Sequence, residues 1–137
     1  MKNITELYDM LDWNQPEEIQ ANGVHIAKSL KEIPPFTDAV VPFLRPRTPK
    51  HTKSIWDNCA LIISGKSDEE LKPHLVELME WLKDMNWPGA FCIFDRLKEY
   101  SDDTSFNNAA QICIEKAKKI GKEIWLDNLY SIIRDRV

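Results

Sequence analysis

The sequence predicts an all-α protein, an α-α superhelix of about four stacked antiparallel helical hairpins, and three observations lead to this prediction. Apolar residues recur at helical spacing through most of the 137 residues. A corner motif, D-x-N-x-P, occurs twice between such segments. The chain has four glycines, which are few for a fold of tight β-hairpins or phosphate-binding loops. At this length we expect one folded domain over residues 1–137.

The first predicted hairpin turns in the segment LDWNQPEEIQ, residues 11–20. The helix before this corner has an apolar face at Ile4, Leu7 and Leu11. The helix after it has an apolar face at Ile19, Gly23, Ile26, Ala27 and Leu30. Asn14 is predicted to cap the second helix, because Asn14 and Glu17 have the spacing of a capping box.

Two further helices are predicted to form the second hairpin. They cover residues 36–44 (FTDAVVPFL) and 53–64 (KSIWDNCALIIS). The composition of DAVVPFL also fits a short β-strand, but no segment with a matching alternation is available to pair with it. We therefore predict a helix there.

The third hairpin has the clearest periodicity. Its first helix, within residues 67–85, has apolar residues at spacings of four, three and four, namely Leu71, Leu75, Leu78 and Leu82. Ser67 and Glu70 have capping-box spacing. Pro73 lies beyond the first turn, where it is expected to kink the helix or to separate a short leading turn.

The third hairpin turns at Asp84, Asn86 and Pro88, which repeat Asp12, Asn14 and Pro16 at an offset of 72 residues. This offset equals two periods of 36, a length typical of helical repeat proteins. Asn86 is predicted to cap a helix whose first turn contains Trp87 and Pro88. That helix has an apolar face at Ala90, Ile93, Phe94 and Leu97 and ends before SDDTS.

Residues 104–120 and 122–135 complete the predicted set as a fourth hairpin, giving about eight helices. A helix that ends in D-x-N at a tight corner, followed by a helix that opens with Pro, resembles HEAT repeats. The text that carries the resemblance is HLVELMEWLKDMNWPGAFCIFDRL and, more weakly, ITELYDMLDWNQPEEIQANGVHIAKSL. More narrowly, ELMEWLKDMNWPGA and KHTKSIWDNCA resemble an uncharacterised bacterial family of short HEAT-like proteins, a domain of unknown function.

This resemblance implies a solenoid in which hairpins stack side by side and leave one concave face of helices free to bind proteins or peptides. It implies no catalytic residues. We therefore predict a non-catalytic module for protein–protein interaction, with a toxin-neutralising immunity protein as one specific form. An acidic module would suit a basic toxin.

The most unusual local chemistry is the segment RPRTPKHTK, residues 45–53. It contains Arg45, Arg47, Lys50 and Lys53 and no acidic residue. Its two prolines predict an extended loop. Such a loop is either a binding patch for an acidic partner, a phosphate group or nucleic acid, or a solvated connection between hairpins.

Trp56 and Asp57 follow this loop at the start of a predicted helix. With the amide of Asn58 next to them, they are candidates for a partner-binding groove, since tryptophan is frequent in binding hot spots. Trp56 also fits the apolar stripe of its own helix, with Ala60 and Ile63 at helical spacing, so a core position is the other interpretation. The remaining tryptophans, Trp13, Trp81, Trp87 and Trp125, are predicted to be structural.

No motif of an enzyme or metal site is present. The sequence has no H-E-x-x-H, P-loop or G-x-S-x-G, and its histidines share no ligand spacing. Cys59, Cys92 and Cys113 have no C-x-x-C spacing and lie in apolar helical patterns, which favours core packing. We expect no cofactor and no metal.

Composition narrows the partners and the compartment. The mean hydropathy is −0.42, and no apolar run approaches the roughly 20 residues of a membrane helix. The start, MKNITELYDM, carries acids where a signal peptide would be apolar, so a cytoplasmic protein is expected. The net charge of −4 disfavours nucleic acid as a partner.

Two other functions are consistent with the same residues. One is a nucleic-acid-acting enzyme similar to HEAT-like alkylpurine DNA glycosylases, which use Trp and Asp in a basic groove. The short chain and the acidic charge count against it. The other is a purely structural subunit of a larger assembly.

Overall fold

A computed structural model describes residues 3–33, 36 and 38–136 of the chain. These residues form helices and loops. The one β-type pairing among them is an isolated bridge between Ile33 and Phe36. The predicted all-α class is therefore confirmed.

Eight α-helices and four short 3₁₀ turns make up the described part. The α-helices are α1 (Ile4–Leu11), α2 (Glu17–Ser29), α3 (Trp56–Ser64), α4 (Asp68–Leu71), α5 (Leu75–Glu80), α6 (Ala90–Lys98), α7 (Asp103–Ile120) and α8 (Glu123–Asp135). The 3₁₀ turns are Val41–Phe43, Lys53–Ile55, Lys72–His74 and Trp81–Lys83. Five of the predicted helices correspond closely to α1, α2, α6, α7 and α8.

The predicted helix over residues 36–44 is wrong. Its described residues contain only the 3₁₀ turn Val41–Phe43, and Thr37 lies outside the described residues. The Asp38 carboxylate accepts the backbone N–H of Val40 and that of Val41, the latter at 3.0 Å. A short side chain that bonds nearby backbone groups competes with helix formation. Pro42 then removes a further backbone donor.

The first corner turns at the predicted motif but not by the predicted cap. Asp12, and not Asn14, provides the side-chain acceptor, since its Oδ1 lies 2.8 Å from the Asn14 backbone nitrogen. The Gln15 N–H donates to the Asp12 carbonyl at 2.9 Å, which closes a tight turn. Helix α2 begins after Pro16 without a side-chain cap.

The second corner repeats this turn. The Asp84 Oδ1 accepts the Asn86 N–H at 2.8 Å, and the Trp87 N–H donates to the Asp84 carbonyl at 3.0 Å. The predicted Asn86 cap is therefore wrong as well. Trp87 and Pro88 lie in the corner, and α6 begins only after Gly89, whose φ of 85° is left-handed.

The capping box at Ser67 and Glu70 is confirmed, with both of its reciprocal hydrogen bonds present. The effect of Pro73 is also confirmed. It lies in the 3₁₀ turn Lys72–His74, which separates the short α4 from α5. A proline inside a helical pattern lacks the N–H that an α-helix would need.

The helices pack as a row with a second set beside it. In the row, α2 packs on α3, α3 on α6 and α6 on α8. Beside the row, α1 pairs with α2, while α7 packs against both α5 and α8. One continuous hydrophobic core joins the elements. Its largest fully buried side chains are those of Trp56, Trp81, Trp125, Phe43 and Phe106.

Two hydrogen bonds show that the chain repeats itself. Asn58 on α3 donates its side-chain amide to the Leu11 carbonyl at the end of α1, at 2.8 Å. Asn128 on α8, 70 positions later, donates in the same way to the Leu82 carbonyl, also at 2.8 Å. In each half, an amide on the last helix thus binds a carbonyl in the segment just before the D-x-N corner.

The ends of α2 and α6 repeat in the same register. The Lys66 ammonium binds the carbonyls of Ala27, Lys28 and Leu30. The Arg136 guanidinium, 70 positions later, binds the carbonyls of Leu97, Lys98 and Tyr100. We therefore describe a first unit, within residues 3–66, and a second unit, within residues 68–136.

The two units differ in their third element. In the second unit this element is α7, which packs on α5 and α8. In the first unit the turn Val41–Phe43 packs on α3, and the Tyr8 hydroxyl of α1 donates to the Pro42 carbonyl. The irregular segment that contains this turn, and that continues into the basic residues, therefore takes the place of a helix.

Candidate partner-binding site

The basic segment is a loop, as predicted, and it packs against the protein. Arg45 has a φ of 47°, a left-handed conformation that is uncommon for a residue with a side chain. Its guanidinium carbon lies 5.2 Å from the centre of the Trp87 ring. Arg45 is half-buried, so it is held in place rather than free in solvent.

Arg47 is exposed and lies over the ring of Trp56, 5.7 Å from its centre. Trp56 itself is 1% exposed, and its indole N–H donates to the Pro46 carbonyl at 2.9 Å. Trp56 and Trp87 meet edge to face at 5.7 Å. The two arginines therefore rest on a pair of contacting tryptophans.

The electrostatics around Arg45 are unusual for an arginine. Burial lowers the pKa of Arg45, the charge of Glu80 raises it, and the charge of Arg47 lowers it further. Arginine stays protonated at neutral pH in spite of such a shift. In the part of the chain that the structure describes, neither Arg45 nor Arg47 forms an ion pair.

The other two basic residues of the loop behave differently from the arginines. Lys50 forms an ion pair with Asp9 of α1, with 2.8 Å between Nζ and Oδ1. Lys53 is exposed in the 3₁₀ turn before α3. The loop therefore does not present its four cations as one cluster.

His51 lies at the centre of a group that the sequence analysis did not identify. It is 3% exposed, and its Nε2 lies 2.8 Å from the same Asp9 oxygen that pairs with Lys50. Its Nδ1 has no hydrogen bond and lies 3.5 Å from an Asp12 oxygen. Hydrogen bonds from Lys50 and then from His51 lower the pKa of Asp9. The sequence did not indicate the contact between His51 and Asp9, because the two residues are 42 positions apart and share no motif.

Asp57 lies in a shallow cavity of about 360 Å³ with Trp87 and Phe91. It is exposed, and so is Phe91 of α6, which has 68% of its surface accessible. Leu61, one turn after Asp57 on the same face of α3, is 44% exposed. Leu61 and Val24 line a second cavity of about 420 Å³ between α2 and α3.

The six predicted site residues therefore fall into separate places. Arg45 and Arg47 stack on the tryptophan pair, and Trp56 belongs to the core. Asp57 lines the cavity beside Trp87 and Phe91. Lys50 and Lys53 lie elsewhere on the loop. Helical periodicity did not distinguish the exposed Leu61 and Phe91 from core residues, because both are apolar.

The other tryptophans divide between core and surface. Trp81 and Trp125 are buried, as predicted, and their indole N–H groups donate to the carbonyls of Pro88 and Met79. Trp87 is partly buried against Trp56. Trp13 differs from the prediction, since 52% of its surface is accessible at the first corner.

The cysteines show core packing at two positions. Cys59 and Cys113 are buried, and Cys92 is partly buried. Burial raises the pKa of the Cys59 thiol and raises that of the Cys113 thiol to about 11, so neither is a reactive thiolate at neutral pH.

Among the described residues no group of three or more His, Cys, Asp or Glu side chains is arranged to hold a metal. No helix in residues 3–33 or 38–136 is long and apolar enough to cross a membrane.

A family model described as "Domain of unknown function (DUF5071)" matches residues 48–136. The matched region includes α3 to α8 and the residues Lys50, Lys53, Trp56 and Asp57. Helices α1 and α2 and the two stacked arginines precede it. No curated protein and no solved structure matches the chain.

Proposed function

We propose that this protein, which belongs to the DUF5071 family, is a non-catalytic module that binds another protein on the face formed by α2, α3 and α6. The observation that carries this proposal is the exposure of Leu61 and Phe91 on neighbouring helices of the row. Exposed apolar residues beside shallow cavities mark interaction sites more often than isolated surface hydrophobics do.

The wider arrangement that we propose is a short HEAT-like solenoid. The row α2–α3–α6–α8 corresponds to helices that would line one face of such a solenoid, and α1, α5 and α7 would line the other. The repeated contacts of the two units support this, since repeat proteins reuse the same local contacts in each repeat. The tight D-x-N corners support it as well.

The chemistry of the face suggests a partner with apolar side chains and a basic residue. Val24 and Leu61 provide apolar surface in one cavity, and the exposed Asp57 carboxylate lies beside Phe91 in the other. A basic toxin is the specific partner that we propose, with this protein as its neutralising immunity protein. The net charge of −4 favours association with a basic protein.

The test is an affinity capture with tagged protein from lysate of the source cells, with and without nuclease. It compares the wild type with the double variant Leu61→Asp, Phe91→Asp. The matched control is Ile112→Asp on α7, since Ile112 is also exposed, at 54%, but lies outside the row. Circular dichroism shows that each variant is folded.

We expect one protein to be captured by the wild type and the control and lost with the double variant, whether or not nuclease is present. Capture that the double variant retains would contradict the proposed face. Recovery that depends on nucleic acid would contradict protein binding and support the glycosylase-like alternative. A constant partner bound in equal amounts under all growth conditions would indicate a structural subunit instead of an immunity protein.

A further inference from the structure

We propose that Arg45, Arg47, Lys83 and Lys116 form a second binding surface, the basic strip, which accepts an acidic segment of a protein partner. The strip joins the loop of the first unit to the 3₁₀ turn after α5 and to α7 of the second unit. Its four cations lie on other elements than α2, α3 and α6, although Trp87, under Arg45, also lines the cavity beside Asp57 and Phe91. The proposal does not require that the other face binds a protein.

The basic strip contains more cations than contacting carboxylates. The Glu80 carboxylate accepts hydrogen bonds from the ammonium groups of Lys83, at 3.1 Å, and Lys116, at 3.3 Å. The charge of Glu80 also acts on Arg45, which is close enough to Arg47 for the two cations to affect each other. Glu80 is thus the acceptor for two of the four cations, and its charge acts on a third. The strip therefore has four cations and one contacting carboxylate, on a protein whose net charge is −4.

Aromatic rings hold three of these cations in position. The charged group lies 5.2 Å from the Trp87 ring centre for Arg45, 5.7 Å from the Trp56 ring centre for Arg47, and 4.8 Å from the Trp125 ring centre for Lys83. Stacking on a ring occupies the face of a guanidinium and leaves its N–H edge free. The cations are therefore ordered in advance of binding, which lowers its entropic cost.

Arginines elsewhere in the protein use their N–H groups internally. Arg96 donates to an Asp68 oxygen at 2.6 Å and to the Lys66 carbonyl at 2.9 Å. Arg136 donates to Asp103 and to three backbone carbonyls. In the described residues, the side chains of Arg45 and Arg47 have no such acceptor. Their donors are available to an external oxyanion.

A protein segment with a few Asp or Glu residues fits this strip better than nucleic acid does. A carboxylate matches the two parallel N–H groups of a guanidinium. Nucleic acid presents a long row of phosphates, and those beyond the strip would meet the negative charge of the rest of the protein. A short acidic segment places its carboxylates on the strip alone and therefore avoids this repulsion from the rest of the protein.

The experiment measures binding of a fluorescein-labelled oligoglutamate peptide by fluorescence anisotropy at low ionic strength. The test variant is Arg47→Gln, Lys116→Gln, which removes two exposed cations of the strip. The matched control is Lys31→Gln, Lys72→Gln, which makes the same charge change at two exposed lysines outside both proposed surfaces. Arg45 is left unchanged because its half-buried side chain contributes to packing.

We expect the test variant to bind the peptide about tenfold more weakly, whereas the control changes binding by less than about twofold. Added salt should weaken binding to the wild type. The proposal is overturned if the wild type shows no saturable binding, or if both variants weaken binding equally. It is also overturned if a duplex DNA binds more tightly than the peptide at the same salt concentration.

Discussion

At the scale of single residues, the Asp9 carboxylate is where the basic loop joins the first helix. It accepts hydrogen bonds from Lys50 and from the buried His51, which are neighbouring residues of the basic loop. These bonds lower the pKa of Asp9. The carboxylate therefore stabilises the fold more when it is ionised than when it is protonated.

We predict that Asp9→Asn lowers the free energy of unfolding by about 0.5–1 kcal/mol at pH 7, a small value because Asp9 is partly exposed to solvent. Since the pKa is lowered on folding, this stabilisation is complete above the ordinary aspartate pKa of about 4 and is lost as the pH falls through the folded value. Urea unfolding at several pH values should show the difference from wild type narrowing below about pH 4. Asp95→Asn is the control, since Asp95 is exposed, and a difference of the same size there would rule out the Asp9 contacts as the cause.

Gly89 is the second residue whose identity the fold requires. Its φ of 85° is left-handed, and a Cβ built there would lie 2.7 Å from the Ala60 Cβ and 2.8 Å from the Trp56 carbonyl oxygen. Gly121 also has a left-handed φ, of 71°, but a Cβ there would meet no atom within 4 Å. The pair separates backbone strain from steric contact.

We predict that Gly121→Ala costs about 1 kcal/mol, from the left-handed backbone alone. Gly89→Ala should cost about 3 kcal/mol, because overpacking adds to the same strain. Chemical denaturation of the two variants tests this. Equal losses would show that α3 does not approach the second corner as closely as the structure indicates.

At the scale of elements, a charged side chain near the end of each unit closes the end of a helix in the same unit. Lys66 is 4% exposed and donates to three carbonyls at the end of α2. The last carbonyls of a helix have no partner within the helix. Burial lowers the pKa of Lys66, because the charged ammonium loses its hydration in the folded protein. The hydrogen bonds to the three carbonyls offset this cost of desolvation.

We predict that Lys66→Met lowers the free energy of unfolding by about 2–4 kcal/mol, since it leaves buried carbonyls without a donor. Lys118→Met in the last turn of α7 is the control. Lys118 is exposed, so this change should stay within about 0.5 kcal/mol. Similar values for the two variants, measured by thermal or urea unfolding, would refute a capping role for Lys66.

The elements also show why some predictions held and others did not. Apolar spacing predicted α7 and α8 to within one residue, because each buries a long continuous face. Spacing also suggested a helix over residues 36–44. It does not form there, because the Asp38 carboxylate binds nearby backbone N–H groups and Pro42 lacks a backbone donor. At both corners the sequence offered two polar residues, and the turn used the aspartate in place of the predicted asparagine.

At the scale of the whole molecule, the two units share one core. Trp56 of the first unit contacts Trp81 and Trp87 of the second at ring distances of 6.3 and 5.7 Å. Helix α3 packs on α6 at the same boundary. The buried residues of the two units form one hydrophobic cluster.

We predict that the two units unfold together in a single transition. Tryptophan fluorescence reports mainly on the boundary and far-UV circular dichroism on all helices. The two should give superimposable urea curves, as expected of a cooperative domain of this size. Curves with different midpoints would show that the units are independent domains.

The candidate site could be predicted only in part from the sequence. The basic loop was identified from its cations, its prolines and its lack of acids, and Asp57 from its place beside Trp56 at the start of a helix, because these are local features of the sequence. The burial of Trp56, the stacking of Arg45 and Arg47, and the exposure of Phe91 depend on which elements meet. Lys83 and Lys116, 33 positions apart in the chain, come together because α5, which precedes the turn of Lys83, packs on α7.

The sequence by itself determined the all-helical class, most helix bounds, the break at Pro73 and the two corners with their common motif. These follow from contacts among residues a few positions apart, which the spacing of side chains records. Only the tertiary structure decided which of several apolar residues is buried, which cation is paired and which part of the chain replaces a helix. Those outcomes depend on packing between residues tens of positions apart, where many arrangements satisfy the same local pattern.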